Sequence, residues 1–230
     1  MKIICYNIND SQQWKIDRLL ATEADVIVVP EIACPEQITL SEGYNMAWEG
    51  ITWNFRGKQK WKGLGVIWKK GKGFVPDWYN PKLCYGIPLI YDDVLVLAFW
   101  PTKRKDISEK KLYPQIAQEI IAEYAPHFKG QKVIITGDFN CYVNQRGYSK
   151  EYGDIRRIDE ILENHGLYSI YHRQTGEPLG KETTPTYYHL FKETLPFFID
   201  YTYTNLPVKS YRLLPWDSKM SDHIGQEIVF

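Results

Sequence analysis

Short apolar runs dominate the chain and predict a protein built mainly of β-strands. The clearest is Asp25–Pro30, whose continuous apolar stretch indicates a strand covered on both faces. Comparable runs lie at Ile3–Asn7, Leu64–Trp68, Val94–Trp100, Lys132–Thr136, Phe198–Thr204, Val208–Leu214 and Gln226–Phe230. The segment Tyr44–Phe55 is typical of a hairpin, and we expect its turn at Glu49-Gly50.

Apolar residues at helical spacing predict three helices. These segments are Ser11–Ala24, Ser108–Tyr124 and Asp154–His165. We expect Asn9, Asp10 or Ser11 to cap the first helix and Ser108 to cap the second, in which Pro114 must lie within the first turn or shorten the start of the helix. No linker rich in Ser or Gly divides the chain, so the pattern predicts a single domain over residues 1–230, with two packed sheets and helices outside them.

Charge and composition narrow the function classes. The chain has 28 Lys and Arg and 28 Asp and Glu, which argues against a protein whose nucleic-acid affinity comes from bulk positive charge. A nuclease with basic residues on one face stays open, because basic clusters lie at 56–62, 69–72 and 103–105. Aromatic residues are 15% of the chain, and half-buried aromatic side chains often line pockets.

Cysteine spacing and hydropathy bear on the compartment. The cysteines are Cys5, Cys34, Cys84 and Cys141, and their separations match no zinc site. We therefore expect buried free thiols in a reducing compartment. The N-terminal apolar run is too short for a signal peptide, and no run reaches the roughly 18 residues of a membrane span. We expect a cytoplasmic monomer that does not contact a membrane.

Polar side chains recur at the edges of the apolar runs. They are Asn7, Glu31, Asp138, Asn140, Asp200, Asp222 and His223. Any single one of them is ordinary turn chemistry. Together they indicate a site, because packed strands bring such residues to one end of a core.

The residue types at these positions fit phosphate chemistry. Hard oxygen ligands of the kind that Mg²⁺ prefers are present at Glu31, Asp138 and Asp222. His223 can contact phosphate or move a proton, and Asp200 can hold its tautomer. Asn140 can donate from its side-chain amide to a developing oxyanion. Gly137 allows a tight turn beside Asp138-Phe139-Asn140. This set is suited to Mg²⁺-assisted in-line attack of water on a phosphate ester.

In this order, the motifs resemble those of the endonuclease/exonuclease/phosphatase superfamily, which includes deoxyribonuclease I-like and exonuclease III-like enzymes. The matching positions are Asn7, Glu31, Gly137-Asp138-Phe139-Asn140, Asp200-Tyr201 and Ser221-Asp222-His223. The resemblance implies an α/β fold, a four-layer αββα sandwich of two stacked mixed β-sheets flanked by helices. It also implies a site at one end of the two sheets.

The resemblance assigns a metal-binding side to this site. Glu31 is expected to bind Mg²⁺, for which Mn²⁺ is a possible substitute. Asn7 is expected beside that metal as part of the catalytic set, and Asp222 as a further carboxylate on the metal side.

The resemblance assigns the remaining motif residues to the phosphate. Asp138 is expected to align or deprotonate the attacking water, and Asn140 to position the phosphate. Asp200 is expected to orient His223, which contacts the scissile phosphate.

One position departs from the family pattern. Many members carry a His or Tyr that reaches the phosphate at the end of the central strand, whereas this strand ends in Ala98-Phe99-Trp100-Pro101. Trp100 can donate a hydrogen bond through its indole N–H and Phe99 cannot, but the sequence leaves open which of them faces the site. Further candidate substrate contacts are Trp100 itself, Asn144, Arg146, Tyr187 and His172.

Three functions stay open from the sequence. The first is a nuclease acting on DNA, or on RNA, since Thr184–Tyr188 followed by Phe197-Phe198 resembles the aromatic loop of exonuclease III-like enzymes. The second is a phosphatase or phosphodiesterase acting on a small molecule such as an inositol phosphate or a nucleotide. The third, a binding module without catalysis, is disfavoured because every motif residue is present.

Overall fold

The computed structural model describes residues 1–83, 85–104, 108–145 and 151–230, so Cys84, Lys105 and Arg146 lie outside the described residues. In chain order the strands are β1 (Lys2–Cys5), β2 (Val26–Pro30), β3 (Tyr44–Phe55), β4 (Lys58–Lys69), β5 (Gly73–Phe74), β6 (Gly86–Tyr91), β7 (Val94–Phe99), β8 (Lys132–Asp138), β9 (Tyr168–Ser169), β10 (Tyr187–Tyr188), β11 (Pro196–Phe197), β12 (Asp200–Thr204), β13 (Ser210–Leu213) and β14 (Gln226–Val229). The α-helices are α1 (Gln13–Leu20), α2 (Tyr113–Tyr124), α3 (Ile155–Asn164) and α4 (Ile170–Thr175).

Two six-stranded sheets form the centre of the molecule. The first has the order β13-β14-β1-β2-β4-β3, and the second has the order β5-β6-β7-β8-β12-β9. Both are mixed, since β1 pairs with β2 in parallel and β7 pairs with β8 in parallel, while the other pairs are antiparallel. Strands β10 and β11 form a separate small ribbon.

Alternating side chains of the first sheet belong to two different apolar layers. Ile3 and Cys5 of β1 pack in the core that includes the second sheet, whereas Ile4 packs with Ile16 and Leu19 of α1. This follows from the two-residue period of a strand, which sends successive side chains to opposite faces. The first sheet is therefore covered by the second sheet on one face and by α1 on the other.

Helices α2 and α3 cover the outer face of the second sheet. The Tyr124 hydroxyl of α2 donates to the Gly86 carbonyl of β6 at 3.0 Å. The Tyr203 hydroxyl of β12 donates to Asp159 of α3 at 2.8 Å. Because α1 lies outside the first sheet, the order of layers is helix, sheet, sheet, helix, and the predicted αββα sandwich is confirmed.

The hairpin of the first sheet is longer than its sequence pattern indicates. Strand β3 continues through Glu49 and Gly50 without a break and pairs with β4 along its whole length. The turn lies instead at Arg56-Gly57, where both residues have positive φ, 50° and 75°. Left-handed backbone at both positions of a two-residue loop is the conformation that joins twisted antiparallel strands. The predicted turn at Glu49-Gly50 is wrong.

The predicted caps of the first two helices are also wrong. Gln12 is the N-cap residue of α1 and Leu112 that of α2, and neither makes a side-chain capping bond. The Ser108 hydroxyl instead accepts from the Arg104 backbone N–H at 2.8 Å. Helix α2 begins where Pro114 fits its first turn, as expected, because a proline lacks the N–H that this turn leaves unpaired.

Gly137 is required for close packing rather than for a turn. It lies inside β8, opposite Phe99 of β7 in the parallel register. A Cβ atom at this position would lie 1.6 Å from the Phe99 carbonyl oxygen. The two strands that carry site residues can therefore approach this closely only with glycine here.

Other expectations concern thiols and membranes. Cys5, Cys34 and Cys141 are buried free thiols, as predicted. Among the described residues, no helix combines the length and the apolar character needed to cross a bilayer.

Candidate active site

Polar residues from both sheets meet at one end of the sandwich. Asn7 follows β1 and Glu31 follows β2. Asp138 ends β8 and is the register partner of Asp200, which begins β12, so both carboxylates leave neighbouring strands on the same face. His223 lies just before β14, the antiparallel neighbour of β1. The strand directions therefore place these predicted residues together.

Asn7 links the acidic groups of the two sheets. Its side chain is fully buried, and Nδ2 donates to Glu31 Oε1 at 3.2 Å and to Asp138 Oδ2 at 3.0 Å. Its Oδ1 accepts from the Asn9 backbone N–H at 3.0 Å. The asparagine amide thus holds two carboxylates from different sheets in one orientation.

Asp138 accepts three hydrogen bonds at the centre of the site. Besides Asn7, the Trp100 indole Nε1–H donates to Oδ2 at 3.2 Å and the Asn140 backbone N–H donates to Oδ1 at 2.9 Å. Burial, with the nearby charges of Asp200 and Glu31, raises the pKa of Asp138 to about 7 against the opposing charge of His223. A carboxylate with this pKa can take up or release a proton near neutral pH.

His223 and Asp200 form a buried ion pair. Nδ1 of the histidine lies 2.9 Å and 3.2 Å from the two Asp200 oxygens, and both side chains are almost fully buried. Burial lowers the pKa of His223, but the charge of Asp200 and its hydrogen bond outweigh burial and raise that pKa to about 10. Because an ionised carboxylate only accepts, Nδ1 carries a proton. Since the pKa of His223 is about 10, the other ring nitrogen is protonated as well at neutral pH, and the imidazolium is the form present.

Ser221, which precedes Asp222 and His223 in the motif, connects two loops of the site. Its hydroxyl donates to the Asn7 carbonyl at 2.7 Å and accepts from the His223 backbone N–H at 3.0 Å. This one buried side chain therefore fixes the loop before β14 to the end of β1.

The charges of Asp222 and Glu31 act on a buried lysine, Lys15, that sequence reasoning did not single out. Lys15 is 4% exposed, and its ammonium donates to the carbonyls of Ile8 and Asp10 at 2.6 and 2.9 Å. Burial lowers the pKa of Lys15, and the charges of Asp10, Asp222 and Glu31 oppose this shift. The predicted metal side thus carries a fixed cation beside its acids. The only sign of Lys15 in the sequence was its place among the buried residues of α1.

The charge balance of the site fits a divalent cation. Among the described residues, one group of three acidic or histidine side chains has ligand atoms within 4.8 Å of one another, namely Asp138, Asp200 and His223. Glu31 adjoins this group through the amide of Asn7. Burial above all, and then the charges of Asp200 and Glu31, raise the pKa of Asp138, so a cation here would stabilise its charged form. Oxygen donors suit a hard cation such as Mg²⁺. Because the imidazolium of His223 has no lone pair for a metal, the carboxylate oxygens at this end of the sandwich are the donors that fit a divalent cation.

Trp100, rather than Phe99, faces the site. Its indole N–H reaches Asp138, whereas the Phe99 ring packs on Phe139 with ring centroids 4.5 Å apart. A strand alternates its side chains between faces, so only one of two successive residues at the end of β7 can point inward. The position left open by the sequence is therefore occupied by an indole donor.

The other predicted substrate contacts differ in the groups that they touch. The Tyr187 ring lies 4.5 Å from the His223 ring. Asn144 bonds instead with Asp154 and Arg156 at the start of α3. His172 lies between Ser169 and Glu182, at 2.7 and 2.9 Å. The contacts of Asn144 and His172 are thus with neighbouring protein groups, and their predicted roles toward substrate stay predictions.

A cavity of about 300 Å³ opens beside Asn140 and has largely aromatic walls. The rings that line it belong to Tyr113, Tyr142, Tyr187 and Phe197. Phe197 lies 4.8 Å from Tyr142 between ring centroids. The sequence had indicated Tyr187 and Phe197 through the aromatic loop, but it missed Tyr113 and Tyr142, which lie in separate segments of the chain.

Comparison with known proteins gives one family and several solved structures. The endonuclease/exonuclease/phosphatase family model matches residues 5–223. A family protein from Leptotrichia buccalis C-1013-b is 18% identical, with a TM-score of 0.58 over 100% of this chain and 98% of that chain. An endonuclease/exonuclease/phosphatase from Beutenbergia cavernae DSM 12333 is 13% identical, with a TM-score of 0.64 over 99% of this chain and 70% of that chain.

A third similar structure is a mannosyl-6-phosphatase from Bacteroides thetaiotaomicron VPI-5482. It is 14% identical, with a TM-score of 0.58, and the alignment covers 100% of both chains. No curated protein matches the sequence. At these identities the likeness to solved structures concerns the fold, and the family model supplies the assignment. The chain belongs to the endonuclease/exonuclease/phosphatase family, whose members hydrolyse phosphoric esters.

Proposed function

We propose that this protein is a Mg²⁺-dependent phosphodiester hydrolase and that its substrate is DNA. The observation that supports this most strongly is the aromatic cavity beside Asn140, next to the pair of His223 and Asp200. A nucleotide carries a flat ring one sugar away from its phosphate. A cavity with aromatic walls adjoining a phosphate-handling site is suited to bind both parts together, since bases stack on aromatic side chains.

Two exposed apolar residues beside the cavity, Leu190 and Phe191, favour a polymeric substrate. Leu190 and Phe191 are 62% and 46% exposed, and they follow His189, a residue of the cavity wall. Both have positive φ, 55° and 58°, which is uncommon for large side chains. Apolar side chains held out in this way are suited to insertion between bases in a groove.

In the proposed reaction each side chain has a separate task. Asp138, with a pKa near 7, holds the attacking water and accepts its proton. His223 is charged at neutral pH, so it donates to a phosphoryl oxygen and stabilises the charge that builds there. Asn140 positions the phosphate, and Asp200 keeps the imidazole oriented. Mg²⁺ or Mn²⁺, bound by Glu31 with Asn7 and Asp222 close by, would supply positive charge to the phosphate and the leaving oxygen.

The basic clusters contribute less to this proposal than the sequence indicated. Lys69 pairs with Asp25 at 3.2 Å, Lys72 lies 4.0 Å from Asp92, and Arg104 pairs with the buried Glu49 at 3.2 Å. Since part of this positive charge is neutralised within the protein, nonspecific attraction to a phosphate backbone is expected to be modest.

A second candidate is a phosphatase acting on a small phosphate ester. The volume of the aromatic cavity, about 300 Å³, is also sufficient for one sugar or one nucleoside. The fold is shared with a mannosyl-6-phosphatase, although the two chains are only 14% identical. This candidate differs from the first in needing no contact beyond a single cavity.

Cleavage assays with Mg²⁺ distinguish the two candidates. The substrates are supercoiled plasmid, an oligonucleotide with an abasic site, and a panel of inositol phosphates, nucleotides and mannose 6-phosphate. We expect the DNA substrates to be cleaved and Asp138→Asn to lower kcat by at least about a hundredfold, the usual scale for a catalytic acid–base group. Asp93→Asn, a change to an exposed acid paired with Lys132, is the matched control and is expected to stay within about twofold of the wild type.

The outcomes separate cleanly. Phosphate release from the small-molecule panel without DNA cleavage would reject the nuclease in favour of the phosphatase. DNA cleavage that Asp138→Asn leaves intact would point to a contaminating nuclease and reject the proposed site.

A further inference from the structure

Glu49 is a buried acid outside the site described above. It lies in β3 and is 5% exposed. Its Oε1 accepts from the Tyr85 backbone N–H at 2.9 Å and from Arg104 Nη1 at 3.2 Å, and its Oε2 accepts from the Tyr79 hydroxyl at 3.1 Å. Burial of a carboxylate costs free energy unless it is hydrogen-bonded in this way. We therefore asked which part of the molecule depends on Glu49.

Tyr85, which Glu49 contacts, has an unusual backbone. Its φ is 59° although its side chain is a large ring that is fully buried. A bulky residue in the left-handed region is a real outlier and persists only where the surroundings hold it. The hydrogen bond from the Tyr85 N–H to Glu49 is one such restraint, and it reaches from the first sheet to the segment before β6 of the second sheet.

Tyr85 in turn contacts Trp100 twice. The Trp100 backbone N–H donates to the Tyr85 carbonyl at 2.9 Å. The two rings pack with centroids 4.8 Å apart at an angle of 48°. Tyr85 therefore contacts both the main chain and the ring of Trp100, whose indole N–H donates to Asp138 at 3.2 Å.

We propose that Glu49 is a positioning residue for phosphate-ester hydrolysis, acting through Tyr85 on the indole of Trp100 and thereby on Asp138. This inference rests on the proposed function. Glu49 holds the strained Tyr85, the Tyr85 ring orients the Trp100 ring, and the indole N–H keeps one oxygen of Asp138 turned away from the attacking water. Trp100 occupies the position where many family members have a His or Tyr. The path from Glu49 to Asp138 is therefore specific to chains that have a tryptophan after β7.

A double-mutant cycle tests the path. Trp100→Phe keeps a ring but removes the indole donor, and we expect kcat to fall about tenfold or more, as for loss of a hydrogen bond to a charged group. Glu49→Ala is expected to lower kcat by a similar factor, with KM within about twofold. In the Trp100→Phe background the same Glu49 change is expected to lower kcat less than about twofold, because groups that act through one contact are not additive.

Two further variants guard against a simple folding defect. Glu49→Gln retains an oxygen that can accept from the Tyr85 N–H, so most of kcat is expected to return. In Tyr85→Gly the glycine adopts positive φ without strain, but the ring is lost, so kcat is expected to fall. In the Trp100→Phe background the same change is expected to cause no further loss of kcat. Tyr79→Phe removes the bond to the other Glu49 oxygen and is the matched control, expected to keep full kcat.

A spectroscopic signature reports on the same path without activity. The indole N–H resonance that disappears in Trp100→Phe identifies Trp100 in a ¹H–¹⁵N spectrum. It is expected to shift in Glu49→Ala and Tyr85→Gly and to stay in place in Tyr79→Phe. Additive losses of kcat, or an unmoved indole resonance in Glu49→Ala, would overturn the positioning role while leaving the proposed function intact. A wild-type protein inactive on every phosphate ester would refute the proposed function itself, and the positioning role with it.

Discussion

Two carboxylates, Asp138 and Asp200, face each other across neighbouring strands at the centre of the site. Like charges directly opposite in a sheet are unfavourable, and here both are buried. Each is stabilised by a different partner: His223 pairs with Asp200, and Asn7 and Trp100 donate to Asp138. As a result, His223 is a charged donor at neutral pH, whereas burial above all raises the pKa of Asp138 to about 7.

The His223–Asp200 pair predicts how stability depends on pH. Because the folded state raises the pKa of His223 from 6.5 to about 10, the pair stabilises fully below pH 6.5, and its contribution is lost as pH rises toward 10. In EDTA, the free energy of urea unfolding should fall between pH 7.5 and 9.5 in the wild type and fall less in His223→Asn. The control His165→Asn, at an exposed histidine, should retain the wild-type slope. Equal slopes in all three proteins would contradict the assigned charge state.

At the scale of elements, the apolar runs predicted most strands because buried strands need continuous apolar sequence. Strand β6 was not predicted, since Pro88 within it lacks an N–H and argues against a strand by sequence alone. The site depends on how closely two of these strands approach. Trp100 follows β7 and Asp138 ends β8, and Gly137 is what allows the strands to meet without a clash.

Gly137→Ala is expected to destabilise the protein by more than the roughly 1–3 kcal/mol typical of overpacking, because the added methyl group meets backbone that cannot move aside. Separation of β7 from β8 should also weaken the bond between Trp100 and Asp138 and lower kcat. Gly43→Ala is the matched control, since a Cβ there meets nothing within 4 Å. Urea unfolding measures both changes; a loss in Gly137→Ala no larger than in Gly43→Ala would show that the strands separate freely.

At the scale of the whole molecule, the stacking of two sheets gathers acids that lie far apart in sequence. Glu31 comes from the first sheet and Asp138 from the second, and the amide of Asn7 joins them. Lys15 supplies one internal cation nearby, but the pKa of Asp138 is still raised by burial and by neighbouring acids. Binding of a divalent cation at this end should therefore stabilise the folded chain as a whole.

Mg²⁺ at a hundredfold excess over its Kd should add about 2.7 kcal/mol to the free energy of unfolding. For a chain of 230 residues this corresponds to a rise in Tm of roughly 5–10 °C. Glu31→Gln should lose at least half of this rise, whereas Glu160→Gln, an exposed acid paired with Arg157, should keep it. Differential scanning calorimetry with and without Mg²⁺ makes the comparison. An unchanged rise in Glu31→Gln would place the metal on other ligands.

The pattern of apolar and polar positions was enough to predict two packed sheets with helices outside them, and polar residues at the strand ends. Both features can be read from neighbouring residues in the chain. Apolar runs must be buried, and the motif residues Asn7, Asp138 and His223 lie next to such runs in the sequence. Which of Phe99 and Trp100 faces the site could not be read from the sequence, because the face depends on how β7 pairs with β8. The tertiary structure also decided the aromatic cavity and the contacts of Glu49 and Lys15, since these join segments far apart in the chain, and no sequence period records which distant side chains will meet.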